Sequence, residues 1–245
     1  MREGTMEDAV VVARDDGEVR ILTLNRPDKL NAFSNQLYTA AADSLSDAAE
    51  DDAVSVVVLT GNGRAFSAGQ DLGEMAALAT GASEPSAFPS FVDELQGFPK
   101  PLLAAVNGLA VGIGFTLLAH CDLVLADSSA RFRAPFTALG VAPEAGSSVL
   151  FPARMGWQQA ARVLLTSDWV SADEAVRLGL VLQVCPDGTV LSETLSLAHR
   201  IAEFPLASLM ATKRVMLDGR LPSVKRARQI EDAAFAAIFE QRRPS

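Results

Sequence analysis

The chain has 245 residues, 49% of them hydrophobic, which is enough apolar material for one sizeable core with an appendage. Its net charge of -9 excludes general nucleic-acid binding, which needs a basic surface to displace counterions. The balance is uneven: residues 205–245 carry eight Lys/Arg against four acids, a pattern that reads first as a solvated helix face and second as contact with an anionic ligand.

Cys121 and Cys185 stand apart, with no C-x-x-C and no neighbouring His, so neither a metal centre nor a disulfide framework is expected. The first residues lack the apolar run of a secretory signal, and the last three are not a peroxisomal tripeptide. A cytoplasmic location is the resulting expectation.

Taken in order, residues 10–12 and 19–24, split by Asp15-Asp16-Gly17, read as a hairpin. Asn25-Arg26-Pro27-Asp28 is a turn, and residues 34–50 form an amphipathic helix capped by Ser34. The run 54–60 is a buried strand ending at Gly61-Asn62-Gly63. Phe66 to Asp71 follows, with Asp71 suited to cap a helix running into Met75. Residues 76–90, with Gly81, Pro85 and Pro89, read as a mobile loop beside the site.

Residues 102–106 form a second buried strand, broken by Asn107-Gly108. Gly112 and Gly114 then allow close backbone approach before a helical run over 115–120. Only Asn107 and Thr116 are polar between residues 102 and 119, which suggests a membrane span. Three glycines and the Asn-Gly break argue against one continuous helix. Further strands are expected at 123–126, 130–132 and 180–184. Helices are expected at about 148–155, at 157–165, and after a Ser171 cap as far as Gly179. From Leu191 the pattern is helical only, broken at Pro205 and Pro222. The whole describes an α/β core, residues 1–187, with a helical C-terminal region, residues 188–245.

Two glycine-rich turns, 65–71 and 107–114, each follow a buried strand. Together they can supply a pair of backbone donors, the minimal oxyanion hole. A P-loop is excluded because no G-K-[ST] follows Gly61 or Gly63. A serine-hydrolase triad is disfavoured because G-x-S-x-G is missing, and the two histidines, His120 and His199, receive no role.

Three segments together resemble the crotonase superfamily of enoyl-CoA hydratases and isomerases. They are Ala65-Phe66-Ser67-Ala68-Gly69-Gln70-Asp71-Leu72, Ala105 to Gly114, and Gly140-Val141-Ala142-Pro143-Glu144-Ala145-Gly146-Ser147-Ser148. The resemblance implies a spiral of ββα turns with a C-terminal helical region used in trimer assembly. It also implies an acyl-CoA thioester as substrate, no cofactor beyond the CoA it carries, and a homotrimer or hexamer. By motif position the two oxyanion amides fall on Ala68 and Ile113. Arg26, Lys29, Ala68, Gln70, Asp71, Leu72, Gly112 and Phe136 are the implied substrate contacts.

Two positions depart from the hydratases, which carry glutamates where this chain has Thr116 and Phe136. Hydration needs a base to activate water and an acid to protonate carbon. Glu144 instead looks like the single base of the family's peroxisomal-type Δ3,Δ2-enoyl-CoA isomerases. On the residues alone, Glu144 reads first as a helix-start carboxylate, stabilised by about 0.3–1 kcal/mol, and only the motif context turns the reading toward catalysis. Isomerisation is the leading expectation. Hydration or thioester hydrolysis by Glu144 and water is the second, and a catalytically silent acyl-CoA-binding protein the third.

Overall fold

The structure, a computed structural model, describes residues 9–74 and 86–241. Among the described residues ten strands form two sheets. The larger has the order β1 (Val11–Asp16), β2 (Val19–Leu24), β3 (Val56–Gly61), β5 (Leu102–Val106), β7 (Leu123–Asp127), β10 (Gln183–Cys185), and only the β1–β2 pair is antiparallel. The smaller has the order β4 (Ala65–Ser67), β6 (Leu109–Val111), β8 (Arg131–Arg133), β9 (Val170–Ser171), with β9 antiparallel at its edge.

Three times the chain leaves the larger sheet, turns within a few residues, and enters the smaller: β3 to β4, β5 to β6, β7 to β8. A helical segment follows each passage, and the repetition builds the spiral. These helices are α2 (Phe88–Gly97), α3 (Ile113–Thr116) and α4 (Phe136–Leu139), while α1 (Asn35–Glu50) links β2 to β3.

Strands β3 and β5 are apolar throughout because both of their faces are covered. Val57, Leu59, Leu102, Ala104 and Val106 join one core, which also holds Leu37, Ala41 and Leu45 of α1. Their neighbours Val56, Val58, Leu103 and Ala105 belong to a second core with Val190 and Ala198 of helix α8 (Val190–Ala202). Each fully buried Val or Leu stabilises by roughly 1.5–3 kcal/mol, so this two-sided alternation is the main source of rigidity.

Helices α5 (Ser147–Met155), α6 (Trp157–Thr166) and α7 (Ala172–Arg177) complete the core. Of the last two, α10 (Leu221–Gln241) packs on α5 and α2, and α9 (Leu206–Asp218) packs on α10. Buried Lys213 of α9 donates to the Asp122 carboxylate at 2.8 Å and to the Lys100 carbonyl at 2.6 Å. Arg228 of α10 reaches the Asp93 carboxylate at 2.6 Å and the Pro89 carbonyl at 3.2 Å. Among the described residues no helix is long and apolar enough to cross a membrane.

Several expectations change. The first strand continues to Asp16, because its polar residues pair through the backbone at an exposed edge; Gly17, at φ 61°, makes the turn. Residues 65–67 and 109–111, read as parts of glycine turns, are the short strands β4 and β6. The helical run starts at Ile113 and tightens into a 3₁₀ turn at Leu117–Ala119. Of the expected loop 76–90, residues 76–85 lie outside the described residues, and Phe88 already begins α2. The strand expected at 180–184 is Gln183–Cys185. Pro222 does not break a helix: it sits in the first turn of α10, where its missing N–H has no intrahelical partner anyway. The caps at Ser34 and Ser171 are formed, accepting from the amides of Leu37 and Glu174.

Candidate active site

Parallel pairing of β4 with β6 brings both glycine turns to the same edge of the small sheet. Their backbones touch. A Cβ on Gly69 would lie 2.8 Å from the Val111 carbonyl oxygen, and one on Gly114 would lie 2.7 Å from that of Ser67. Any side chain at either position would force the turns apart.

The hydrogen bonds of the first turn settle which amides are available. Phe33 donates to the Gly69 carbonyl at 2.7 Å and accepts from the Asp71 amide at 2.9 Å. In such a bridge the residue between, Gln70, directs its own N–H and C=O the other way. The Ala68 amide donates to the Leu30 carbonyl at 2.9 Å. Ala68 is therefore a correction: its N–H is consumed by the fold, and Gln70 carries the outward one. In the second turn Gly112 donates to the Arg133 carbonyl at 3.0 Å and accepts from Phe115 and Thr116. Ile113 is the first residue of α3, where an N–H has no acceptor within the helix. Neither the Gln70 nor the Ile113 amide has an acceptor among the described residues.

Tyr38 of α1 is fully buried among Phe33, Phe88 and Phe91, with ring centroids 4.8–5.6 Å away, and its hydroxyl donates to Gln70 Oε1 at 2.6 Å. Burial, then the charges of Glu144 and Glu74, push the Tyr38 hydroxyl well above its usual range. The charge of Glu144 is thus felt at the residue that holds Gln70.

Glu144 precedes α5 in the turn Glu144-Ala145-Gly146. Burial, and secondarily the carboxylate of Glu231, push its carboxyl up to about 8. The Ser147 hydroxyl donates to the Glu144 carbonyl at 2.7 Å, a packing role rather than a nucleophile's. Thr116 and Phe136, the two positions that depart from the hydratases, are both buried. Thr116 Oγ1 has no hydrogen-bond partner among the described residues.

The remaining implied contacts divide. Gly112, at φ 53°, belongs to the paired turns, and Leu72 is exposed beside them. Arg26 spends its guanidinium on the Asp71 carboxylate at 3.1 Å and on the Ala32 carbonyl, so both side chains brace the turn. Burial would raise Asp71, but the bonds from Arg26 and the Gly73 amide hold it below the ordinary carboxylate range. Lys29 is exposed at the end of a 3₁₀ turn, Pro27–Lys29. Tyr38 and Glu231 were not legible as site residues, because each acts on a partner far away in sequence.

The profile of the enoyl-CoA hydratase/isomerase family matches residues 14–244. The chain is 37% identical over 234 residues to the 2,3-dehydroadipyl-CoA hydratase of Escherichia coli, covering 96% of this chain and 87% of that one. It is 38% identical over 221 residues to human enoyl-CoA delta isomerase 2, covering 88% of this chain and 56% of that one. A solved enoyl-CoA hydratase/isomerase from Pseudoalteromonas atlantica superposes with a TM-score of 0.88 at 35% identity, covering 96% of this chain and 99% of that one. The chain belongs to the enoyl-CoA hydratase/isomerase family, within the crotonase superfamily, and is an enzyme of that family.

Proposed function

We propose that the protein shifts a double bond in an acyl-CoA thioester, from the Δ3 to the Δ2 position. The Glu144 carboxylate takes a proton from C2 of the 3-enoyl thioester. The C–H electron pair moves into the C2–C1 bond, and the carbonyl π pair moves to the thioester oxygen, which accepts hydrogen bonds from the Gln70 and Ile113 amides. The protonated Glu144 then delivers the proton to C4 as the enolate collapses, and C2–C3 becomes the double bond. No water and no second acid enter the balance.

The observation that carries this reading is the Glu144 carboxylate, pushed up to about 8 chiefly by burial, in a chain where Thr116 and Phe136 occupy the two positions that hydration would need as glutamates. A base near neutrality is strong enough to assist enolate formation and still partly ionised at physiological pH. Because α3 has one α-helical turn, its contribution at Ile113 is the local N–H rather than a long helix dipole.

Hydration is the second reading, favoured by the 37% identity to a hydratase, nearly equal to the 38% identity to an isomerase. One assay separates the readings: 3-enoyl-CoA to 2-enoyl-CoA conversion is followed beside hydration of 2-enoyl-CoA. Faster isomerisation supports the proposal, faster hydration overturns it, and no turnover indicates a silent binding protein. Glu144→Gln should lower isomerisation by roughly 10²–10⁴-fold while leaving acyl-CoA binding in place.

Contact of Lys29 with the anionic part of CoA, assembly as a trimer or hexamer, and a cytoplasmic location belong to the same proposal. Exposed Val215, Met216 and Ile230 on α9 and α10 support an assembly surface there. Sedimentation equilibrium tests it.

A further inference from the structure

The turn that presents Glu144 is conformationally unusual. Ala145 has φ 57° and Gly146 φ 72°, so two successive left-handed residues follow Glu144 directly. For alanine that conformation costs about 1–2 kcal/mol, and it persists only where surrounding contacts impose it. Two buried ionisable side chains make those contacts. His120 Nε2 lies 2.7 Å from the Ala145 carbonyl oxygen. From the other side, Glu231 Oε2 accepts from the Gly146 amide at 2.7 Å and Oε1 from the Ser148 amide at 2.9 Å. His120 is 1% exposed and Glu231 4%. Helix α10, which brings Glu231, packs onto the turn itself: a Cβ on Gly146 would meet Val224 Cγ1 at 2.9 Å.

We propose that His120 and Glu231 are positioning residues that clamp the Glu144-Ala145-Gly146 turn from opposite sides and aim the Glu144 carboxylate. The inference rests on the reading of Glu144 as the base.

The chemistry of each jaw is defined. A carbonyl oxygen only accepts, so His120 must carry its proton on Nε2. Burial holds His120 down at about 4; the Ala145 bond opposes this, and the charges of Arg220, Arg228 and Arg154 reinforce it. It is therefore a neutral donor at working pH. Glu231 occupies the start of α5, where an acceptor is needed and Gly146 has no side chain to supply one. Ser34 and Ser171 cap their own helices locally. Recruiting a glutamate from α10 instead places a second negative charge near Glu144. The titratable groups around the turn are then Glu231 from α10 and Tyr38 from α1, both coupled to Glu144, and His120, which follows the 3₁₀ turn, at the Ala145 carbonyl. Of these, Glu231 is the one that raises it after burial.

The test compares Glu231→Gln, His120→Leu and His120→Gln with wild type and with Glu144→Gln. Steady-state rates on 3-enoyl-CoA are measured across pH, with the dissociation constant of butyryl-CoA alongside. Glu231→Gln should lower kcat by about 10–100-fold, change KM and butyryl-CoA affinity by less than about threefold, and move the acid limb of kcat/KM down by roughly one pH unit. His120→Leu should lose about tenfold in kcat, and His120→Gln, whose amide nitrogen replaces Nε2 as donor, should retain it within about threefold. An unmoved acid limb in Glu231→Gln, or a loss of kcat paralleled by weaker butyryl-CoA binding, overturns the proposal. If Glu231→Gln does not fold, the histidine pair decides: equal losses in Leu and Gln overturn the clamp. Full activity in Glu144→Gln would instead remove the base reading itself.

Discussion

The amide of Ala68 donates to the carbonyl of Leu30 at 2.9 Å, and that bond leaves Gln70 as the residue of this turn whose N–H points away from the fold. Gln70→Pro removes the outward N–H at a position that the Phe33 bridge does not use, so the protein should fold and lose about 10²–10³-fold in kcat. Gln70→Ala keeps the amide and should stay within about tenfold of wild type, losing only the bond from Tyr38. Ala68→Pro should instead unfold or aggregate. Comparable activity in Gln70→Pro and Gln70→Ala would show that this amide holds no oxyanion.

The raised carboxyl of Glu144 makes a signed prediction about stability. Its folded value, about 8, lies above the ordinary 4.5, so the folded state holds the proton over a window where the unfolded chain releases it. That contribution is complete below about 4.5 and is lost as pH rises through about 8, at roughly 1.4 kcal/mol for each pH unit between the two values. Glu144→Gln should therefore flatten the decline of Tm between those values. A wild type equally stable across the window, or a variant that keeps the slope, contradicts the burial of this group.

His120 works with the opposite sign. Its value, held at about 4 rather than 6.5, makes the unfolded chain take up the proton first as pH falls. Stability should drop between about 6.5 and 4, and His120→Gln should reduce that drop, read from urea unfolding at several pH values.

Arg26 braces the first glycine turn, so Arg26→Met should lower stability by about 1.5–3 kcal/mol through the lost bonds to Asp71 and Ala32. Lys29→Ala should leave stability alone and weaken CoA binding in a manner that fades with salt. Calorimetry of CoA binding at low and high ionic strength, beside urea unfolding, tests both. A purely affinity-based effect of Arg26→Met would return that residue to the substrate.

Thr116 Oγ1 is buried without a partner among the described residues. Thr116→Val fills the same volume without the stranded hydroxyl and should leave Tm unchanged or raise it, by up to about 1 kcal/mol in stability. A clear loss of stability would mean that the hydroxyl is bonded.

Glu144 was legible as the candidate base because the Gly140–Ser148 segment is contiguous and its motif is read within nine residues. Its strength was not, because burial and Glu231 arrive from elsewhere in the fold. The paired glycine turns were legible for the same local reason. In the first turn the free N–H lies two residues beyond the expected Ala68, since the Ala68 amide is claimed by Leu30, thirty-eight positions earlier; the Ile113 amide, as expected, has no acceptor among the described residues. Short strands such as β6 escaped because three residues between glycines carry too little periodicity to separate strand from turn.

By itself, then, the sequence determined the strands whose two buried faces demand unbroken apolar runs, the caps formed by nearby serines, and the presence of Glu144 in a chain that has Thr116 and Phe136 at the two positions where the hydratases carry glutamates. These depend on interactions within a few residues. The tertiary structure alone decided which backbone N–H groups remain free, that Arg26 and Asp71 pair with each other across the first turn, and that a histidine and a glutamate meet across the Glu144 turn. Hydrogen bonds have direction and short range, and the two partners of the Gly146–Glu231 bond lie 85 positions apart.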